Sequence, residues 1–241
     1  MNLTANEQNS VERLRKNAYP GRGIIIGMTK DSLHYVQVYW IMGRSSNSRN
    51  RIFETEGNFM RTRAFDESKV EDPSLIIYFP MRDIDGRHIV TNGDQTDTIY
   101  EYLKNGRSFE DALRTRTYEP DSPHFTPRIS GMIDMQSGKP NYRLSVIKSL
   151  GTDPAVCCRQ FFEYDSFLQG FGHCIHTYQK NENPLPSFSG DPLIMPLHND
   201  IEENARFFWD FLDDENRISL AVKYIAAATG AMTIKIINKN G

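Results

Sequence analysis

The sequence predicts an α+β fold of layered sheets, and three observations carry this expectation. Short runs rich in Ile, Val, Tyr and Phe recur along the chain, bounded by Gly, Pro, Asn and Asp. Several fall in pairs about a tight turn, as Met81–Ile84 and Arg87–Thr91 do about Asp85-Gly86. Stretches with helical periodicity are few and come in mixed order with the strands, which suits one α+β domain spanning 1–241.

The first twenty residues are polar, with helical character around Ser10–Asn17 that Tyr19-Pro20-Gly21 ends. They read as a loosely attached N-terminal extension. Gly23–Met28 and Leu33–Met42 form a hairpin about Thr29-Lys30-Asp31-Ser32. Both faces of the second run are apolar, so a covered sheet is expected. Arg51–Thr55 continues as a strand, 56–73 as a polar loop, and Leu75–Phe79 as a buried strand stopped by Pro80. Asn92-Gly93 turns the chain toward a helix carrying Ile99, Tyr100 and Leu103, with Asp97 as its N-cap and Gly106 at its end. Ser108 and Asp111 start a second helix over Phe109–Thr117. Tyr118–Arg128 is a proline-punctuated loop. Ile129–Met135 and Tyr142–Ser149 make another hairpin, and Val156–Phe162 and His173–Tyr178 are further strands. A long connection over 180–198 leads to an amphipathic helix at Asp200–Leu212. Ile218–Ile225 and Met232–Ile237 close the chain as strands.

The formal net charge is -3, which argues against a general nucleic-acid binder. There is no apolar run of roughly 18 residues, so no membrane partner is expected. The start MNLTANEQNSVERLRKNAYPG has no apolar signal core. The three cysteines, Cys157, Cys158 and Cys174, are odd in number and match no zinc spacing. A reduced, cytoplasmic protein without a zinc site is the expectation.

Two stretches could bind an anion. Gly43–Phe53 sets Arg44, Arg49 and Arg51 among Ser45, Ser46, Asn47, Ser48 and Asn50, which gives charged forks beside small side chains. A solvated basic turn explains the same composition. Asn92–Thr98 ends at a helix start, although Asp94 and Asp97 would repel a phosphate. Glu119 is a candidate acid or base in a loop, where a solvated charge is commoner. Tyr78 could present its phenol at a strand end, where packing is commoner. His173 and His176 flank Cys174 at strand spacing, so they face opposite sides and do not form a joint metal site.

The ordered set GRSSNSRNR, LIIY, TNGDQTDT, YE and TPR resembles the archaeal-type inosine monophosphate (IMP) cyclohydrolases over roughly residues 21–132. The resemblance implies a four-layer αββα sandwich with antiparallel sheets, like that of the N-terminal-nucleophile hydrolases. The chain starts Met1-Asn2, so the likeness is to members that borrow the architecture without that nucleophile. It also implies closure of 5-formamidoimidazole-4-carboxamide ribonucleotide (FAICAR) to IMP with loss of water, without a cofactor, and a homo-oligomer. By position, Tyr78, Glu119 and Arg49 match the catalytic residues, with Arg51 the alternative to Arg49 because the basic stretch differs in length. Arg44, Ser45, Arg51, Asn92, Asp97 and Arg128 match substrate contacts. The competing expectation is a purine-nucleotide-binding or regulatory protein on the same scaffold that performs no turnover.

Overall fold

The computed structural model describes residues 4–70, 77–136, 138–150 and 153–240. In chain order the elements are α1 (Ala5–Lys16), β1 (Gly23–Met28), β2 (His34–Met42), α2 (Ser46–Arg49), β3 (Arg51–Glu56) and β4 (Phe59–Ala64). A 3-10 turn at Glu67–Lys69 follows, then β5 (Met81–Ile84), β6 (Arg87–Thr91), α3 (Gln95–Lys104) and α4 (Phe109–Arg114). The second half holds β7 (Arg128–Asp134), β8 (Asn141–Leu150), β9 (Asp153–Tyr164), β10 (Phe171–His176), β11 (Leu193–Pro196), α5 (Ile201–Trp209), β12 (Arg217–Ala226) and β13 (Met232–Asn238).

Strand pairing is antiparallel throughout both sheets. One sheet has six strands in the order β11-β10-β1-β2-β12-β13, and the other has seven, running β3 to β9 in chain order. The second is a meander of neighbours in sequence, which is why its hairpins are visible in the chain. The first is assembled from three distant segments.

The two sheets face each other over a core that includes Ile24, Ile26, Tyr39, Ile41, Phe53, Val90, Ile129, Leu144 and Ala221. At Gly131 the approach is so close that a Cβ would lie 2.6 Å from Ile26 Cδ1. The outer face of the six-stranded sheet is covered by α1 and α5 through Val11, Leu14, Ala205 and Phe208. The outer face of the other is covered by α3 and α4 through Ile99, Leu103, Phe109 and Leu113 against Ile89, Met132 and Ile147. The expected α+β fold of layered antiparallel sheets is therefore present. An ionic pair sits in the inner core: Lys223, with a fully buried side chain, pairs with Asp83, whose Oδ1 also meets His88 Nδ1 at 3.0 Å. Burial holds the Lys223 pKa below its ordinary value against the pull of Asp83.

Several expectations need correction. The N-terminal segment is not loosely held. Thr4 and Glu7 form a capping box, and the helix buries Val11 and Leu14 in the core cluster that Leu193 and Met195 of β11 also join. The span 56–73 contains β4, whose buried side is Met60, Thr62 and Ala64, while Arg61 and Arg63 face out to Glu54. A Thr and an Ala on the inner side give too weak an alternation to read. Of the expected strand Leu75–Phe79, residues 75 and 76 lie outside the described residues and 77–79 carry no strand. Tyr78 nevertheless bonds back to β4, through Tyr78 N to Thr62 Oγ1 (3.0 Å) and Thr62 N to Tyr78 O (2.9 Å). Asp94, not Asp97, is the N-cap residue of α3, and α4 ends at Arg114. The 180–198 connection contains β11, a short edge strand.

Candidate active site

A small cavity of about 50 Å³ opens where Arg22, Arg51, Tyr78, Glu119 and Arg128 converge with Asn92, Gly93, Asp94 and Pro120. They come from six separate stretches of the chain. Arg22 stands just ahead of β1. Gly21 before it has φ +73°, and a Cβ there would sit 2.2 Å from Thr177 Oγ1, so the approach requires glycine. Thr177 then grips the Arg22 backbone, its Oγ1 accepting from Arg22 N (3.1 Å) and its N donating to Arg22 O (2.9 Å).

Arg51 is the first residue of β3. It shares strand parity with Phe53, so it points between the sheets and is buried. The Nε atoms of Arg22 and Arg51 are both buried without a hydrogen bond. Unmatched buried donors of this kind are costly unless a ligand supplies the acceptor.

Tyr78 is buried, and its hydroxyl lies 2.8 Å from that of Tyr39 on β2. Burial raises the Tyr78 pKa, and the pull of Arg51 and Arg22 does not offset it, so the phenol keeps its proton at neutral pH. Glu119 is fixed by its backbone N–H, which donates to Thr126 O at 2.9 Å. Thr126 is held in turn by Asp121 and by the Tyr178 hydroxyl, which lies 2.6 Å from Thr126 Oγ1. Burial raises the Glu119 pKa as well, against the opposing pull of Arg22, Arg128 and Arg51. For Arg22, burial works against the charge, but Glu119 and the neighbouring phenols outweigh it and its pKa is raised. Arg51 is lowered by burial and then by Arg22, yet a guanidinium stays charged.

The rim is a braced ion network. Arg128 NH1 donates to Asp94 Oδ1 (2.6 Å) and Gln95 Oε1 (2.8 Å), and its Nε donates to Thr117 O (2.9 Å). Arg116 takes the other Asp94 oxygen. That double engagement explains why Asp94 makes no side-chain cap bond to its own helix. Asn92 is spent on structure: Oδ1 accepts from Ile129 N and Gln95 Nε2, and Nδ2 donates to Pro127 O, each at 2.9 Å. Gly93 lies against the cavity, where a Cβ would come within 3.0 Å of Arg128 NH1 and 3.6 Å of Glu119 Oε1.

Tyr78, Glu119, Arg51, Asn92 and Arg128 are thus brought together, while Arg44, Ser45, Arg49 and Asp97 are not. The basic stretch coils into the single turn α2, capped by Ser45 and Ser48 on each other. That turn sends Arg49 to Gly43 O and Asn216 Oδ1 (both 3.1 Å), and Arg44 onto the Tyr19 ring and Asn181. Asp97 pairs with Arg82, which lies over the Tyr100 ring. Sequence reasoning missed Arg22, Tyr39 and Asp94. The available signal for Arg22 was a lone cation between two glycines ahead of an apolar strand. For Tyr39 there was none, since a tyrosine in an apolar run reads as core. Among the described residues, no three His, Cys, Asp or Glu side chains group as a metal site, and no helix is long and apolar enough to cross a membrane.

A family model for IMP cyclohydrolase-like proteins matches residues 19–229. The chain is 32% identical over 120 residues to the IMP cyclohydrolase of Methanosphaera stadtmanae, covering 48% of this chain and 58% of that protein. It is 33% identical over 119 residues to the IMP cyclohydrolase of Methanopyrus kandleri, covering 48% and 59%. The alignment therefore spans less than two thirds of either curated relative, whereas the family match takes in every cavity residue described above. The chain belongs to the IMP cyclohydrolase-like protein family.

Proposed function

We propose that this chain closes FAICAR to IMP, as the names of its relatives suggest. The observation that supports this most directly is the cavity itself. Buried Arg51 and half-buried Arg22, each with a buried, unpaired Nε, stand with the half-buried Glu119 carboxylate and a protonated buried phenol. Ring closure needs those three chemistries and is intramolecular, so holding the reactive rotamer contributes much of the acceleration. A cavity of about 50 Å³ takes the reacting end of the substrate rather than a whole nucleotide.

Glu119 accepts a proton from the carboxamide nitrogen as that nitrogen attacks the formyl carbon. Negative charge gathers on the formyl oxygen, where Arg22 and Arg51 stabilise it in a site shielded from water. Tyr78 gives a proton to that oxygen. Protonated Glu119 then gives its proton to the hydroxyl as the carbon–oxygen bond breaks and water leaves, and the formamido nitrogen gives up its proton to the Tyr78 phenolate as the ring becomes aromatic. Tyr39 orients the phenol, and the Arg128–Asp94–Arg116 network holds the rim. Arg51 takes the catalytic place that position alone allotted to Arg49, because Arg51 reaches the cavity and Arg49 does not.

The same proposal extends to the architecture and setting. The order of helices, sheet, sheet and helices supports a likeness to the N-terminal-nucleophile hydrolases. Work in the cytoplasm as a homo-oligomer belongs to it too, and light scattering would test the assembly. The deciding experiment is incubation with FAICAR, following IMP against the uncatalysed background. Enzyme-dependent IMP formation that is lost in Arg22→Ala and Arg51→Ala is expected. IMP binding without acceleration would overturn the catalytic proposal and leave a nucleotide-binding protein.

A further inference from the structure

A second, larger cavity of about 540 Å³ lies beneath the C-terminal end of α1 and shares no lining residue with the first. Its walls carry Arg13, Lys16 and Lys180, and its lining includes no carboxylate. Phe188 and Leu193, both buried, give it an apolar floor. His176 lines it too, 5% exposed, with its ring 4.8 Å from that of Phe188 and edge-on to it. His176 Nδ1 bonds the Tyr178 carbonyl at 3.0 Å, so Nδ1 carries the proton and Nε2 holds the lone pair. Burial pushes that imidazole down to about 4, so it is neutral at physiological pH and offers an acceptor.

Basic residues in a last helical turn complement the helix dipole, which accounts for Arg13 and Lys16. It accounts neither for Lys180, from the chain after β10, nor for a buried imidazole set among cations. Carboxylates stand near two of these cations, Glu12 with Lys16 at 3.3 Å and Glu182 with Lys180 at 3.6 Å, while Arg13 has neither. Four of its ten lining residues, Arg13, Lys16, Asn17 and Ala18, precede residue 19, where the family match begins.

We propose that this cavity binds a phosphorylated heteroaromatic small molecule, a nucleoside monophosphate by class, at a site separate from the ring-closure cavity. Arg13, Lys16 and Lys180 meet the phosphate, Phe188 and Leu193 meet the flat body, and His176 Nε2 accepts a hydrogen bond from it. The volume falls within the range of small-molecule sites. The proposal does not depend on ring closure: the cavity would bind such a molecule whether or not the chain turns FAICAR over.

The test is calorimetric titration of the full chain with IMP, and separately with inorganic phosphate, for the parent and for Arg13→Ala/Lys180→Ala. Both side chains are exposed, so the double variant leaves the core intact. The expected result is loss of one equivalent of IMP, or at least a tenfold weaker dissociation constant for it, with similar weakening for phosphate and an unchanged KM for FAICAR. Unchanged binding in the double variant would overturn the proposal. So would one equivalent in the parent with a raised KM in the variant, since the cavity would then hold the phosphate end of the substrate itself. Absence of turnover with one equivalent still lost would sink the ring-closure assignment and leave this site standing.

Discussion

Replacing Glu119 by Gln is the sharpest test of the reacting cavity, because it preserves shape and removes only the capacity to take a proton. Loss of a positioned general base costs about 10²–10⁴ in rate. That corresponds to roughly 2.7–5.4 kcal/mol of barrier. The structure predicts that binding does not suffer in parallel, since the change removes the carboxylate that offsets Arg22 and Arg51 and leaves the cavity more positive. The fall should therefore appear in kcat, with KM unchanged or lower. Stability should move the opposite way. Burial raises the Glu119 pKa despite Arg22, Arg128 and Arg51, so folding disfavours its charged form. A group with a raised folded pKa contributes stability below its unfolded pKa and loses it as pH rises through the folded value. Glu119→Gln should then melt at or above the parent temperature at neutral pH, and the difference should vanish in acid. The parent's activity should rise with pH through a value above the ordinary glutamate range, since the base acts only when ionised. The assay is IMP formation from FAICAR across pH, paired with thermal unfolding. Turnover within a few-fold of the parent, or a lower melting temperature at neutral pH, would refute the reasoning.

Arg51→Ala should reduce kcat by a hundredfold or more, while Arg49→Ala, whose side chain bonds Gly43 and Asn216, should stay within a few-fold; steady-state kinetics of the two decides which arginine faces the substrate. Tyr39→Phe leaves the buried Tyr78 hydroxyl without its 2.8 Å partner and should cost about 1–3 kcal/mol of stability with a several-fold loss in kcat, read by denaturant titration and rate. Asp94→Asn weakens the hold on Arg116 and Arg128, so kcat should fall while the melting temperature changes little, given that Asp94 is half exposed. Lys223→Met strands Asp83 between the sheets and should destabilise by about 3–5 kcal/mol with little effect on KM, checked by urea unfolding.

Local order was legible wherever one segment pairs with its neighbour. The β5–β6 and β7–β8 hairpins, the β1–β2 pair and the amphipathic α5 follow from turn residues and periodicity, because their determining contacts are close in sequence. Resemblance to a family lifted Tyr78 and Glu119 above the commoner packing and solvated-charge roles and added Arg128, which no propensity could single out. What the chain alone did not disclose lies in long-range pairing. The six-stranded sheet joins β1 to β10 and β2 to β12, and that assembly sets Thr177 against Gly21 and so aims Arg22. The basic stretch shows the limit most clearly. Its composition suits an anion site and a solvated turn equally, and one helical turn with a Ser45–Ser48 cap turns Arg44 and Arg49 away while strand parity at β3 turns Arg51 inward. Residue type determined what chemistry was possible. Side-chain direction depends on the register of strands far apart in the chain, so the tertiary structure decided which guanidiniums came to stand beside Glu119 and Tyr78 with a buried Nε left without a hydrogen bond.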